Sequence, residues 1–158
     1  MIGPLLPEQP LLVILLRSLL DREVAFHRHH VPSECDWLTA GYVDGFGAVV
    51  AVVRLDLALA GSVGAALALI PRGVTEEWIS AGVLTDDAID NASEVLNVLA
   101  AGFNQADHSR HVKLAGVTRP GVEVEAPVSK VIGSPVAHAG YVVNIAGYPG
   151  GRLVAYVA

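Results

Sequence analysis

Cysteine is almost absent from this chain: among 158 residues only Cys35 carries a thiol. An internal disulfide framework is excluded, and a reducing, cytoplasmic compartment is the expectation. Charge is scarce too. Charged residues make up 16% of the chain and hydrophobic ones 53%, so a core has ample material while the surface is thinly charged. Self-association, most simply as a homodimer, follows as an expectation. Cations are the scarcer sign, ten Lys and Arg against sixteen Asp and Glu, for a net charge of −6. Nucleic-acid affinity is built from clustered cations, so a phosphate-backbone partner is disfavoured. A long apolar run is also missing. The stretch 11–16 is interrupted by Arg17 well before the ~20 residues that a spanning helix needs, and no basic segment precedes it. Neither a signal peptide nor a membrane span is expected. No internal repeat or low-complexity tail is visible, and the length suits one domain over residues 1–158, with 1–35 as an N-terminal helix and linker.

What is present begins with prolines. Pro4, Pro7 and Pro10 punctuate an extended start, and Pro10 fits the first turn of an apolar helix running to about Glu23. Residues 24–37 read as strand and loop carrying His27, His29, His30, Glu34, Cys35 and Asp36. Their spacing is not that of a standard zinc site, no second cluster elsewhere would complete one, and a solvent-facing polar segment is the reading preferred to a metal. Two apolar runs around Asp44-Gly45 predict a β-hairpin, its second run, 48–54, a strand covered on both faces. Asp56 predicts an N-cap for a small-residue helix ending near Pro71. Residues 72–84 read as a polar connection anchored by Trp78. The stretches 111–117, 122–131, 140–146 and 153–157 read as Val-rich strands. The sum is an α/β (α+β) fold, a mostly antiparallel sheet of about six strands with two long helices and one shorter helix packed on one side.

The rest is organised around residues 85–105, TDDAIDNASEVLNVLAAGFNQ. At about 100° per residue, Ile89, Ala92, Leu96, Leu99, Ala100 and Phe103 share one face, with Val95 at its margin. Thr85 suits an N-cap, and Asp86 and Asp87 suit the positive end of the helix dipole. On the opposite face Asp87, Asp90, Glu94, Asn97, Ala101 and Asn104 form a row without a cation. Small Ala101 and Gly102 leave room for something to approach the backbone. On the pattern alone an acid-rich solvated face is the simpler reading of this row.

The positions Asp90, Glu94 and Asn97, followed after 22 residues by Pro120, resemble the signature of the CheC/CheX family of chemotaxis phosphatases. That signature is Asp or Ser, three residues, Glu, two residues, Asn, and a later Pro. The run Val-Leu-Ala-Ala-Gly after Asn97 is similar to what is usual there, and the order of elements looks right over residues 38–146. The N-terminal helix has no second Glu-x-x-Asn, so the chain looks like the single-signature CheX. Arg119 and the Gly after Pro120 depart from the pattern.

The resemblance implies a substrate: the aspartyl phosphate of a CheY-like response-regulator receiver, which carries its own Mg²⁺. Asn97 would hold the attacking water, and Glu94 would dock on the receiver's active-site lysine. Asp90 would support them, and Pro120 would set the start of a strand. No cofactor and no metal would be bound by this chain. The alternative is a non-catalytic adaptor that docks on a receiver or motor-switch component.

Overall fold

The computed structural model describes residues 5–31, 36–106 and 111–158, in which six strands form one sheet. The strands are β1 (Val24–Arg28), β2 (Trp37–Val43), β3 (Val49–Asp56), β4 (Lys113–Thr118), β5 (Ala137–Ile145) and β6 (Gly151–Val157). Their order is β1-β5-β6-β3-β2-β4, and every pairing is antiparallel. Exchanging β1, β2 and β3 for β4, β5 and β6 reverses this order without changing it. The topology is thus two-fold symmetric, which no repeat in the sequence announces.

Five helices accompany the sheet: α1 (Gln9–Leu20), α2 (Leu57–Ala68), α3 (Arg72–Ala81), α4 (Asp86–Ala106) and α5 (Ala126–Gly133). Leu12 and Leu16 of α1, Leu59 and Val63 of α2, and Leu96, Leu99 and Phe103 of α4 share one core with Ala51, Val53 and Leu55 of β3. α5 lies on the other face of the sheet, where Val128, Val131 and Ile132 meet Trp37, Val52, Val154 and Tyr156. β3, apolar from Val49 to Val53, is therefore an inner strand covered on both sides. No helix among the described residues is long and apolar enough to cross a membrane.

Two segments differ from the sequence reading, and so does the expectation of three helices on one side. Residues 122–131 do not form a strand: α5 starts at Ala126, with Pro127 in its first turn. Pro127 would forfeit a ladder bond inside a strand but is tolerated at a helix start. Val128, Val131 and Ile132 have helical spacing, whereas the alternation that suggested a strand runs through Val122, Val124, Ala126 and Val128 and stops there. The connection 72–84 contains α3, closed by Gly82 and supported by an Arg72–Glu76 ion pair at 2.6 Å one turn apart. Its buried Thr75 and half-buried Val74, Trp78 and Ile79 lie on one side of the helix.

The hairpin β2–β3 turns through Asp44, whose Oδ1 accepts from the backbone N–H groups of Phe46 and Ala48 at 2.9 and 3.1 Å. Both neighbours of β2 carry an extra residue close to Tyr42: Val50 on β3 and Ala115 on β4 fall out of register. Where α2 crosses α4, a Cβ on Gly64 would stand 2.6 Å from the carbonyl oxygen of Ala88.

Asp56 caps α2, its Oδ1 accepting from Leu59 N–H at 2.8 Å. Burial pushes its carboxyl up, against the pull of the backbone donors of Leu59 and Arg152 and of the Arg152 charge. A carboxyl raised in the folded state contributes stability that is whole below its unfolded value of ~3.9 and is lost as pH rises through the folded value. Asparagine keeps the cap without the charge. Asp56→Asn is expected to equal or exceed wild-type stability at neutral pH and to lose that advantage below about pH 4. Asp56→Ala should cost about 1 kcal/mol through the lost cap. Urea unfolding at both pH values checks this, and an asparagine variant weaker than wild type at neutral pH would show that the charge stabilises α2.

Candidate functional site

α4 begins where its caps place it. Thr85 Oγ1 accepts from Ala88 N–H at 3.1 Å, and the carbonyl of Thr85 accepts from Ile89 N–H at 3.1 Å. Ala88, Ile89, Ala92, Val95, Leu96, Leu99, Ala100, Gly102 and Phe103 are buried, which fixes the rotation of the helix on the sheet. Asp87, Asp90, Glu94 and Asn97 are exposed. Glu94 and Asn97 are one turn apart, their Cβ atoms about 5–6 Å from each other. Asp90 lies one turn before Glu94. Among the described residues none of the three side chains has a hydrogen-bond or ion-pair partner. Their polar ends face outward and are available to another molecule.

The lower end of the row has other duties. Asn104 is half-buried and bridges to the chain entering β4: its Nδ2 donates to Val112 O at 2.9 Å, and its Oδ1 accepts from Val112 N–H at 2.7 Å. Gly102 does not offer backbone to a visitor, because Pro7 and Leu15 lie against it, with Pro7 Cγ 3.3 Å from where a Cβ would stand. The small residue is explained by the N-terminal segment crossing α4.

A cation lies at the start of the helix. Arg119 Nη1 donates to Asp86 Oδ1 at 2.6 Å, an exposed pair that ties the end of β4 to the start of α4. Pro120 does not start a strand. It follows β4 in a tight turn closed by Val122 N–H donating to Arg119 O at 3.2 Å, with Gly121 at φ +81°. Pro at the second and Gly at the third position of such a turn are what a type II geometry requires. The Pro-Gly dipeptide was the signal for it. With Arg119 neutralised by Asp86, the acids Asp87, Asp90 and Glu94 make the face around Asn97 attractive to a cationic group.

Beneath this face stands Tyr42, fully buried, its hydroxyl donating to the carbonyl of Leu96 at 2.6 Å. Burial pushes the Tyr42 phenol far up, so it stays a neutral donor. Its ring lies 5.3 Å from that of Phe103. An apolar-looking strand gives no hint of this bond in the sequence.

The histidines lie elsewhere. His27, His29 and His30 are exposed at and beyond β1, and His29 Nδ1 donates to His30 O at 2.6 Å. His138 stacks on Tyr156 beside them, in a groove of about 590 Å³ on the face of the sheet that α5 covers. Glu34 and Cys35 fall outside the described residues. Among the described residues no three His, Cys, Asp or Glu side chains converge as metal ligands.

No protein-family model matches the chain, and no curated protein matches its sequence. Solved structures match its shape. FliY from Thermotoga maritima is 11% identical, over 93% of this chain and 82% of that one, with a TM-score of 0.58. The middle domain of FliM from H. pylori is 9% identical, over 94% and 84%, with a TM-score of 0.57. The chemotaxis protein CheX from Desulfovibrio desulfuricans is 12% identical, over 93% and 92%, with a TM-score of 0.51. At such identities the likeness is one of fold, and the chain has the CheC/CheX-like fold that CheX shares with FliY and the FliM middle domain.

Proposed function

We propose that this protein accelerates hydrolysis of the aspartyl phosphate on a CheY-like receiver domain, with Asn97 as the residue that positions water and Glu94 as the residue that docks. The observation that carries the reading is the pair itself: exposed, one turn apart, without partners among the described residues, on a helix whose rotation is fixed by a buried opposite face. A carboxamide can accept from and donate to one water while adding no charge beside an anionic phosphoryl group. A carboxylate in its place would repel that group. Glu94 reaches toward a lysine of the receiver, a charge-assisted contact that sets the register of the two proteins. An acyl phosphate is already activated, and the receiver's own Mg²⁺ offsets its charge, so positioning is what the helper contributes. Asp90 adds negative potential one turn before Glu94.

A second reading is an adaptor that docks on a receiver or a motor-switch component without catalysis. What supports it is that FliM from H. pylori, which shares this fold at 9% identity, is seen in a complex with FliG.

The two readings part in one assay. A receiver charged with a small phosphodonor and Mg²⁺ is followed for phosphate release with and without this protein. Acceleration is expected, and Glu94→Ala should weaken binding and acceleration together, because its contact exists in ground state and transition state alike. Binding without acceleration would leave the adaptor.

A further inference from the structure

We infer that Tyr42 is a positioning residue for Asn97, holding from inside the sheet the peptide unit that carries the carboxamide. The inference rests on the phosphatase reading of Asn97. The carbonyl of Leu96 and the N–H of Asn97 belong to one planar peptide group, so whatever fixes the first fixes the second. The Tyr42 hydroxyl donates to that carbonyl at 2.6 Å, on the core side of the helix directly behind Asn97. Its ring is enclosed and braced by Phe103 two turns along α4. A phenylalanine would fill the same space without a polar atom to satisfy, so the hydroxyl is there for the bond.

The strand is shaped around this residue. The extra residues Val50 and Ala115 break the register of both ladders at Tyr42, and bulges of that kind re-aim the side chain beside them. A rotation of α4 by about 10° would move the tip of a side chain ~5 Å from the axis by about 1 Å. Displacements of that size matter for a group whose task is to aim a water. Asn97 itself has no hydrogen-bond partner among the described residues to correct its aim.

The fold contains a matched control. Tyr148 makes the same kind of bond, its hydroxyl donating to Ile70 O at 2.6 Å, beyond the end of α2 and not to α4. Tyr42→Phe and Tyr148→Phe each delete one hydroxyl bonded to a main-chain carbonyl. On a receiver that the wild type dephosphorylates, Tyr42→Phe is expected to lower the maximal rate about tenfold. Its affinity for the same receiver loaded with beryllofluoride and Mg²⁺ should stay within about twofold of wild type. Tyr148→Phe should leave both unchanged while melting lower by a comparable amount. A structural role alone would shift the melting temperatures and not split rate from affinity. Equal rates for the two variants would overturn the inference while leaving the phosphatase reading intact. A Tyr42→Phe chain that fails to fold beside a folded Tyr148→Phe would overturn it as well. A wild type that does not accelerate release removes the phosphatase reading itself, and this inference with it.

Discussion

Asn97→Ala should cut accelerated phosphate release by about 100-fold while leaving affinity for the phosphorylated receiver nearly intact. The side chain is exposed and has no partner among the described residues, so its removal costs the fold nothing that it now supplies. Alanine is also the best helix former, and α4 should be undisturbed. What is lost is a contact made to water in the transition state, which lowers the rate without weakening the complex. Phosphate release at saturating protein, together with binding to a beryllofluoride-loaded receiver, separates the two quantities. A variant as fast as wild type would end the phosphatase assignment and leave docking as the role of this face.

A large loss of stability is expected at Gly64. Inside a helix glycine is worse than alanine by about 1 kcal/mol, so on a free surface most replacements other than proline should help. Here the glycine is fully enclosed, and a Cβ would stand 2.6 Å from Ala88 O and 3.4 Å from Ala88 C, both backbone atoms of α4 that cannot turn aside. Gly64→Val must push α2 and α4 apart, at a cost of about 3 kcal/mol. For a chain of this size that lowers the melting temperature by roughly 10 °C. Thermal unfolding followed by circular dichroism reads it directly. An unchanged or raised melting temperature would mean that the two helices do not touch there.

How far the sequence reached depended on how local the determinants were. The phase of α4 follows from residues within two turns of one another, and the burial of Leu96, Leu99 and Phe103 agrees with it. The caps at Thr85 and Asp56 are equally local, and both hold. Errors arose where a short stretch fitted two periods. Val122 and Val124 alternate like a strand, yet Val128, Val131 and Ile132 belong to a helix, and Pro127 was the residue that should have decided between them. The short α3 was hidden because most of its surface is polar.

At the site, nothing nearby in sequence could reveal that Arg119 pairs with Asp86, that Pro7 covers Gly102, or that Asn104 holds Val112. These contacts join segments that only the finished fold brings together. The same holds for Tyr42 and Leu96, on a strand and a helix with two other helices between them in the chain.

The symmetric strand order has a consequence for how the chain acquires its structure. On one side of the sheet the hairpin β5–β6 is completed by β1, and on the other the hairpin β2–β3 is completed by β4. Each half of the chain lends its edge strand to the hairpin of the other. Val24 pairs with Ile145, so β1 has no neighbour until nearly the whole chain is available. The hairpins can close early at little entropic cost, but the edge strands wait on contacts of very long range, and such contacts slow folding. During synthesis β1 therefore emerges first and pairs near the end, kept from other edges meanwhile by its short length and by Arg28 at its tip.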